Sequence, residues 1–357
     1  MKVSKLLAVV AMLAFRPVLG QNAPMLPCAD KDKECAHRAL TNHAASKIDA
    51  WRATLSVPVG DRIGPAPPQL VEYINLDNIA QGFPERPRTV KPDAELLADV
   101  KGAIADLPSE IWNLFGQRLV GLYFVESLGG TGYTDYVFDQ TSKPVAAFVV
   151  FDAAILTQKS ANDWATWKEN TPFNTTAKST YKLDARIEAD GDDNRRNAVQ
   201  YILLHELGHV LSVGANFHPP WNIKPKDVRR SAKYPFLDLS WKIDRKSNKY
   251  QTLFDATFPQ RKNAVYYFGA KLSAADMLLT YTRLKNTTFP SLYAATTPGD
   301  DFAESFASYV HVVLMHRPWE ITISHDGEVV NIFKSCWGEM RCAKKQRILE
   351  QLFKRSP

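Results

Sequence analysis

Residues 201–213 read Tyr201-Ile202-Leu203-Leu204-His205-Glu206-Leu207-Gly208-His209-Val210-Leu211-Ser212-Val213. Apolar side chains surround two histidines spaced four apart, as in a helix buried on most of its circumference. Upstream, Asp193 or Asn194 can accept hydrogen bonds from first-turn amides, and downstream Gly214 suits the position just past the last turn. These signals predict a helix from about Asp193 to Val213. On such a helix, positions i and i+4 lie one turn apart on one face, so His205 and His209 can aim two ring nitrogens at one point.

Two imidazoles converging in this way suit a zinc ion, whose nitrogen ligands stand at about 2.0–2.1 Å. Glu206 follows the first histidine and falls to the side of the ion. From there it can take a proton from a water on the metal and pass it to a leaving amine. A catalytic zinc site needs a third protein ligand and an open position. Six residues beyond His209 stands Ala215, and His218 comes three residues later, just before Pro219-Pro220. His218 is therefore a minor candidate. The better source is the downstream segment Gly299-Asp300-Asp301-Phe302-Ala303-Glu304-Ser305-Phe306-Ala307.

With this segment the sequence resembles the gluzincin metallopeptidases, especially the branch that holds the anthrax lethal factor protease domain and the Pro-Pro endopeptidases. The resemblance implies an acidic ligand at Asp300, three residues before the alanine of Phe302-Ala303-Glu304. It implies an oxyanion-stabilising tyrosine seven residues before the ligand, at Tyr293. Glu304 would then accept a proton from a ligating imidazole and fix its tautomer. The family's ligand is glutamate, whereas this chain has an aspartate, one methylene shorter. Two assignments stay open: Asp300 binds with Glu304 behind it, or Glu304 binds with Asp300 or Asp301 behind it. The resemblance further implies that the strand expected at Val145–Phe151 is the edge strand that pairs with an extended substrate.

Outward from these helices, the pattern is that of an α+β fold, a zincin-like metallopeptidase domain over residues 93–357. Ala94–Ala105 reads as an amphipathic helix, and Leu119–Val125 and Val145–Phe151 read as strands about a glycine-containing loop. Residues 216–262 form an insertion; Lys224–Lys262 carries eleven basic residues against four acidic ones with aromatics interleaved, the composition of a solvated loop. Helices at about Ala274–Leu284 and Asp300–Val313, a hairpin over Glu320–Phe333 and a last helix from Ala343 to Phe353 follow. Residues 21–92 are proline-rich and read as an irregular N-terminal arm, with one helix over Ala36–Leu55 and an extended wrapping segment over Val57–Pro92.

The first twenty residues have the order of a secretory leader: Lys2 and Lys5, an apolar run from Leu6 to Phe15, and Gly20. That run of ten residues falls short of the roughly 20 that a membrane-spanning helix needs. Without the leader, the net charge of +6 loses three positive charges, too modest a balance to suggest nucleic acid as a partner. Four cysteines stand in two close pairs, Cys28 with Cys35 and Cys336 with Cys342, which fits two local disulfides in an oxidising compartment. The sequence thus suggests an exported zinc peptidase, with His205, His209 and Asp300 or Glu304 on the metal, Glu206 and Tyr293 catalytic, and a peptide or protein as substrate. The alternative is a non-catalytic, zinc-containing module that binds peptides on the same scaffold.

Overall fold

A computed structural model describes residues 26–354 except Ala177, with the side chains of Asn113 and Gln117 set aside. The expected leader lies outside the described residues. Helices and strands mix throughout, as the α+β reading requires. The central sheet has five strands: β1 (Ile63–Pro65), β2 (Arg88–Thr89), β3 (Leu119–Glu126), β4 (Gly132–Phe138) and β5 (Pro144–Asp152). Its order is β1-β3-β5-β4, with β2 also paired to β3. β1, β3 and β5 run parallel, and β4 runs antiparallel to β5.

Alternation along the strands sends side chains to two faces, and both faces are covered. From β5, Ala147, Val149 and Phe151 enter one core, while Ala146, Phe148 and Val150 enter the other. β3 divides likewise, with Leu122 and Phe124 on the first face and Tyr123 and Val125 on the second. This explains the unbroken apolar run of Val145–Phe151. It also corrects its placement: β5 is an interior strand, flanked by β3 and β4, and β4 is the edge. Beyond its pairing with β5, β4 has one bridge, Lys47 to Phe138, among the described residues.

Among the described residues eight helices have nine or more residues: α1 (Lys33–Thr41), α2 (Pro68–Gln81), α3 (Ala94–Ala105), α4 (Ala161–Asn170), α5 (Arg195–Ser212), α6 (Asp276–Leu284), α7 (Pro298–Tyr309) and α8 (Ala343–Lys354). α5 is the predicted histidine helix, capped by Asn194, whose side chain accepts from Asn197 N–H. It packs on the first face of the sheet with α3, α4 and α7.

The N-terminal region differs from expectation. The helix expected over Ala36–Leu55 ends at Thr41 and gives way to short turns. The stretch expected to be extended contains α2, which opens with Pro68 in its first turn and closes at Gly82, φ 87°. α2 covers the second face of the sheet through Leu70, Val71 and Ile74, and β1 is a member of that sheet. Arg62, 6% exposed, pins this region by donating to the carbonyls of Leu55, Val57 and Leu119 at 2.7–2.8 Å. The segment completes the second core, so it is not an arm laid on a finished domain.

The expected C-terminal hairpin is present as Glu320–His325 and Glu328–Lys334, joined to a third strand, Tyr181–Arg186. Cys28 is bonded to Cys35, and Cys336 to Cys342. No helix among the described residues is long and apolar enough to cross a membrane.

Candidate metal centre

α5 presents His205 and His209 from consecutive turns, with their Nε2 atoms 3.2 Å apart. α7 supplies the third group. Asp300 Oδ1 lies 3.9 Å from His205 Nε2 and 3.7 Å from His209 Nε2. Four ligands at about 2.0–2.1 Å in a tetrahedron stand roughly 3.3–3.4 Å apart, so these separations fit one small ion with little adjustment. Among the described residues this is the group of histidine and carboxylate atoms close enough to share a metal.

The cap of α7 orients the aspartate. Thr297 accepts from Asp300 N–H at 3.1 Å and donates to Asp300 Oδ2 at 2.7 Å. Thr296 donates to the same oxygen at 2.9 Å. With Oδ2 held by two hydroxyls, Oδ1 is the oxygen left for the histidine pair.

Glu304, one turn further along α7, stands on the other side of His205, with Oε1 3.1 Å from Nδ1. The contact is bent away from ideal hydrogen-bond geometry. Its partner is nonetheless a carboxylate, which places the ring proton on Nδ1 and leaves the Nε2 lone pair toward His209. Glu304 also accepts from Lys168 at 2.9 Å and from Ser291 at 2.8 Å. Burial opposes its charge, but Lys168 and His205 outweigh that and hold the carboxyl well below the usual carboxylate range. Asp301 turns away altogether, paired with Lys345 and accepting from Trp241 Nε1 at 3.0 Å. Of the two assignments left open by the sequence, the geometry favours Asp300 facing the histidines with Glu304 behind. The arrangement with Asp301 behind a ligating Glu304 is not found.

Glu206 is 5% exposed and fixed from the edge strand, where Thr134 donates to Oε2 at 2.5 Å. A side chain at Gly132 would collide with this carboxylate, so the strand's first residue must be small. Burial raises the Glu206 pKa, with His205 and Thr134 pulling the other way. Burial also pushes His209 well below the ordinary imidazole value, reinforced by His205. A neutral imidazole is the ligating form.

Tyr293 packs its ring against His205, centroids 5.3 Å apart, and Lys168 Nζ stands 4.5 Å from its centroid. Burial, then Asp300, raises its pKa well above the usual phenol range, so it remains an O–H donor. His218 does not join the group: its Nδ1 donates to the Pro219 carbonyl at 2.7 Å. The insertion is ordered about α7, with Phe217 stacked on Phe302 at 4.0 Å and Trp241 bonded to Asp301.

Sequence reasoning missed Thr134, Lys168 and Trp221. Trp221 stacks on Tyr136 of β4 at 3.5 Å and sets its ring edgewise 5.7 Å from His209. Nothing in the local sequence of these residues marks them, because each reaches the site from a distant element. No known family matches this chain, and neither a curated protein nor a solved structure does.

Proposed function

We propose that this chain is a zinc-dependent peptidase of zincin type. The observation that carries the reading is the facing of three groups from two helices. The Nε2 atoms of His205 and His209 stand 3.2 Å apart opposite Asp300 Oδ1, with Glu206 held beside them by Thr134. Two neutral nitrogens and one carboxylate oxygen form a donor set suited to zinc, and calcium or magnesium would require more oxygens.

His205, His209 and Asp300 would hold the ion, with Glu304 and Lys168 keeping the His205 ring oriented. When bound, zinc supplies Lewis-acid chemistry that lowers the pKa of water from 15.7 to about 7. Glu206 takes the proton on its carboxylate and delivers it to the departing amine; Thr134 keeps that carboxylate in place. Tyr293, a protonated phenol against His205, supplies a hydrogen bond to the oxyanion. An extended peptide added to the edge of β4, clear of the Lys47 bridge at Phe138, would run past Thr134 and so past Glu206. Both disulfides suit work in an oxidising compartment, in keeping with an exported protein.

The test is Glu206→Gln, assayed on a peptide library with and without a chelator. Glutamine keeps the volume and the contact with Thr134 but cannot take a proton. The variant is expected to retain one zinc per chain and to lose hydrolysis by at least about 10²-fold. Parental turnover in the variant, or wild-type turnover indifferent to chelation, would refute the reading.

A further inference from the structure

The open side of β4 borders a cavity of about 620 Å³ that reaches from His209 around the sheet edge to α2. Alternation along β4 divides its lining. Thr134 turns to the α5 face and meets Glu206, while Tyr133 packs in the core on the α2 face. Asp135, on the α2 side with Tyr133, meets Tyr73 and lies close to Asp77, both from α2.

The two carboxylates share a phenol. Tyr133 Oη is 3.2 Å from Asp77 Oδ2 and 3.1 Å from Asp135 Oδ2. A phenol has one proton, so it serves one carboxylate at a time. The remaining donors to Asp135 are Tyr73 at 2.7 Å, Trp221 Nε1 at 3.0 Å and the N–H of Tyr136. All are neutral. Among the described residues no cationic side chain bonds to either aspartate, and only His37 acts on Asp77 from a distance. Burial, then Asp135, raises the Asp77 pKa, with hydrogen bonds from Tyr133 and Gln81 pulling the other way.

A separate observation points the same way. His218 is 3% exposed and lines the same cavity. Since the Pro219 carbonyl can only accept, His218 Nδ1 carries the proton, and Nε2 is an acceptor without a donor. Among the described residues that line the cavity there is no lysine or arginine.

We infer that this cavity is a subsite for a basic side chain of the peptide substrate, lysine or arginine, with Asp77 and Asp135 receiving its head group. The substrate identity rests on the peptidase reading; the binding preference is measurable without it. A guanidinium brings five N–H donors and an ammonium three, and the aliphatic stem lies against Tyr133 and Trp221. In a strand added to β4, side chains alternate as they do in β4 itself. Those facing α2 meet the acidic pair while their neighbours face Glu206. The basic residue therefore stands within about two positions of the bond to be cleaved.

The probes are fluorescently labelled hexa-alanine peptides carrying one arginine, norleucine or glutamate at each position in turn. Anisotropy is read on zinc-loaded Glu206→Gln protein, which cannot consume them. The best arginine peptide is expected to bind at least about tenfold tighter than its norleucine partner, as charge-assisted hydrogen bonds give. Adding Asp77→Asn and Asp135→Asn together erases that ratio, and Asp77→Asn alone, the milder change, reduces it if the double variant does not fold. Equal binding of arginine and norleucine peptides, no binding of any, or a ratio unchanged by Asp77→Asn would overturn the subsite. Wild-type digestion of the same peptides separates the two ideas. Cleavage without regard to arginine removes the subsite and leaves the peptidase. An arginine preference in binding with no cleavage removes the peptidase and leaves the subsite.

Discussion

At the scale of single residues, Asp300 and Glu304 stand one turn apart on α7 and face different sides of His205. Asp300 turns one oxygen to the histidine pair because Thr296 and Thr297 occupy the other. Glu304 is buried at 1% exposure and reaches the back of His205. The consequence is a graded loss. On the peptidase reading Asp300→Ala removes a ligand, and zinc is expected to leave on dialysis against a weak chelator. Glu304→Gln removes an orienting carboxylate and is expected to weaken zinc by about 10–100-fold while leaving it bound at micromolar metal. Because Glu304 also meets Lys168, the thermal midpoint is recorded beside the zinc content, to separate metal loss from unfolding. Zinc held equally well by Asp300→Ala and wild type would transfer the ligand role to Glu304. The facing of His205 and His209 was legible in the sequence, since spacing on a helix translates directly into facing. The choice between Asp300 and Glu304 was not, because it depends on which way each carboxylate turns, and the caps and lysine that decide it come from other elements.

At the scale of elements, the site exists because α5 and α7 approach closely, and Gly208 sets the distance. A Cβ at that position would lie 2.7 Å from the Ala303 Cα. Alanine in place of glycine gains about 1 kcal/mol of helix propensity. The clash is with backbone, which cannot rotate aside, and overpacking of this kind costs about 1–3 kcal/mol or more. The clash therefore wins: Gly208→Ala is expected to lower the urea midpoint and to weaken zinc, since α7 carries Asp300. A variant as stable as the parent would show that the helices have slack. The helix pattern of α5 could be read in advance from its caps, whereas α2 could not. Its prolines sit at the start, where proline favours a helix, and its apolar residues face both the sheet and α1 with no single stripe. The edge strand was also legible: an apolar run such as Val145–Phe151 marks a strand buried on both faces, while Tyr133-Thr134-Asp135-Tyr136 has the mixed character of an edge.

At the scale of the whole molecule, the chain's last helix braces the centre of the site. The Cys336–Cys342 bond precedes α8 directly, and Lys345 in its first turn pairs with Asp301, the neighbour of Asp300. Lysine and aspartate are 1% and 0% exposed on their side chains, with the rings of Phe236 and Phe289 5.0 Å from the ammonium. Such a pair recovers little net free energy, because both charges lose their water, but removing one partner strands the other. Lys345→Met is accordingly expected to cost about 3–5 kcal/mol. Trp241 and, at 3.5 Å, Ser305 still donate to Asp301, yet neutral hydrogen bonds do not replace an ammonium. Adding Asp301→Asn to the same chain removes the stranded charge, and most of the loss should return. Chemical denaturation of the four proteins of this cycle measures the coupling. Additive losses would mean that the two side chains do not share a buried charge and that α8 is held by its apolar face alone, through Leu349 and its neighbours. Strong coupling with recovery in the double variant, together with zinc retention that follows stability across the set, would locate the brace of the Asp300 helix in the C-terminal helix.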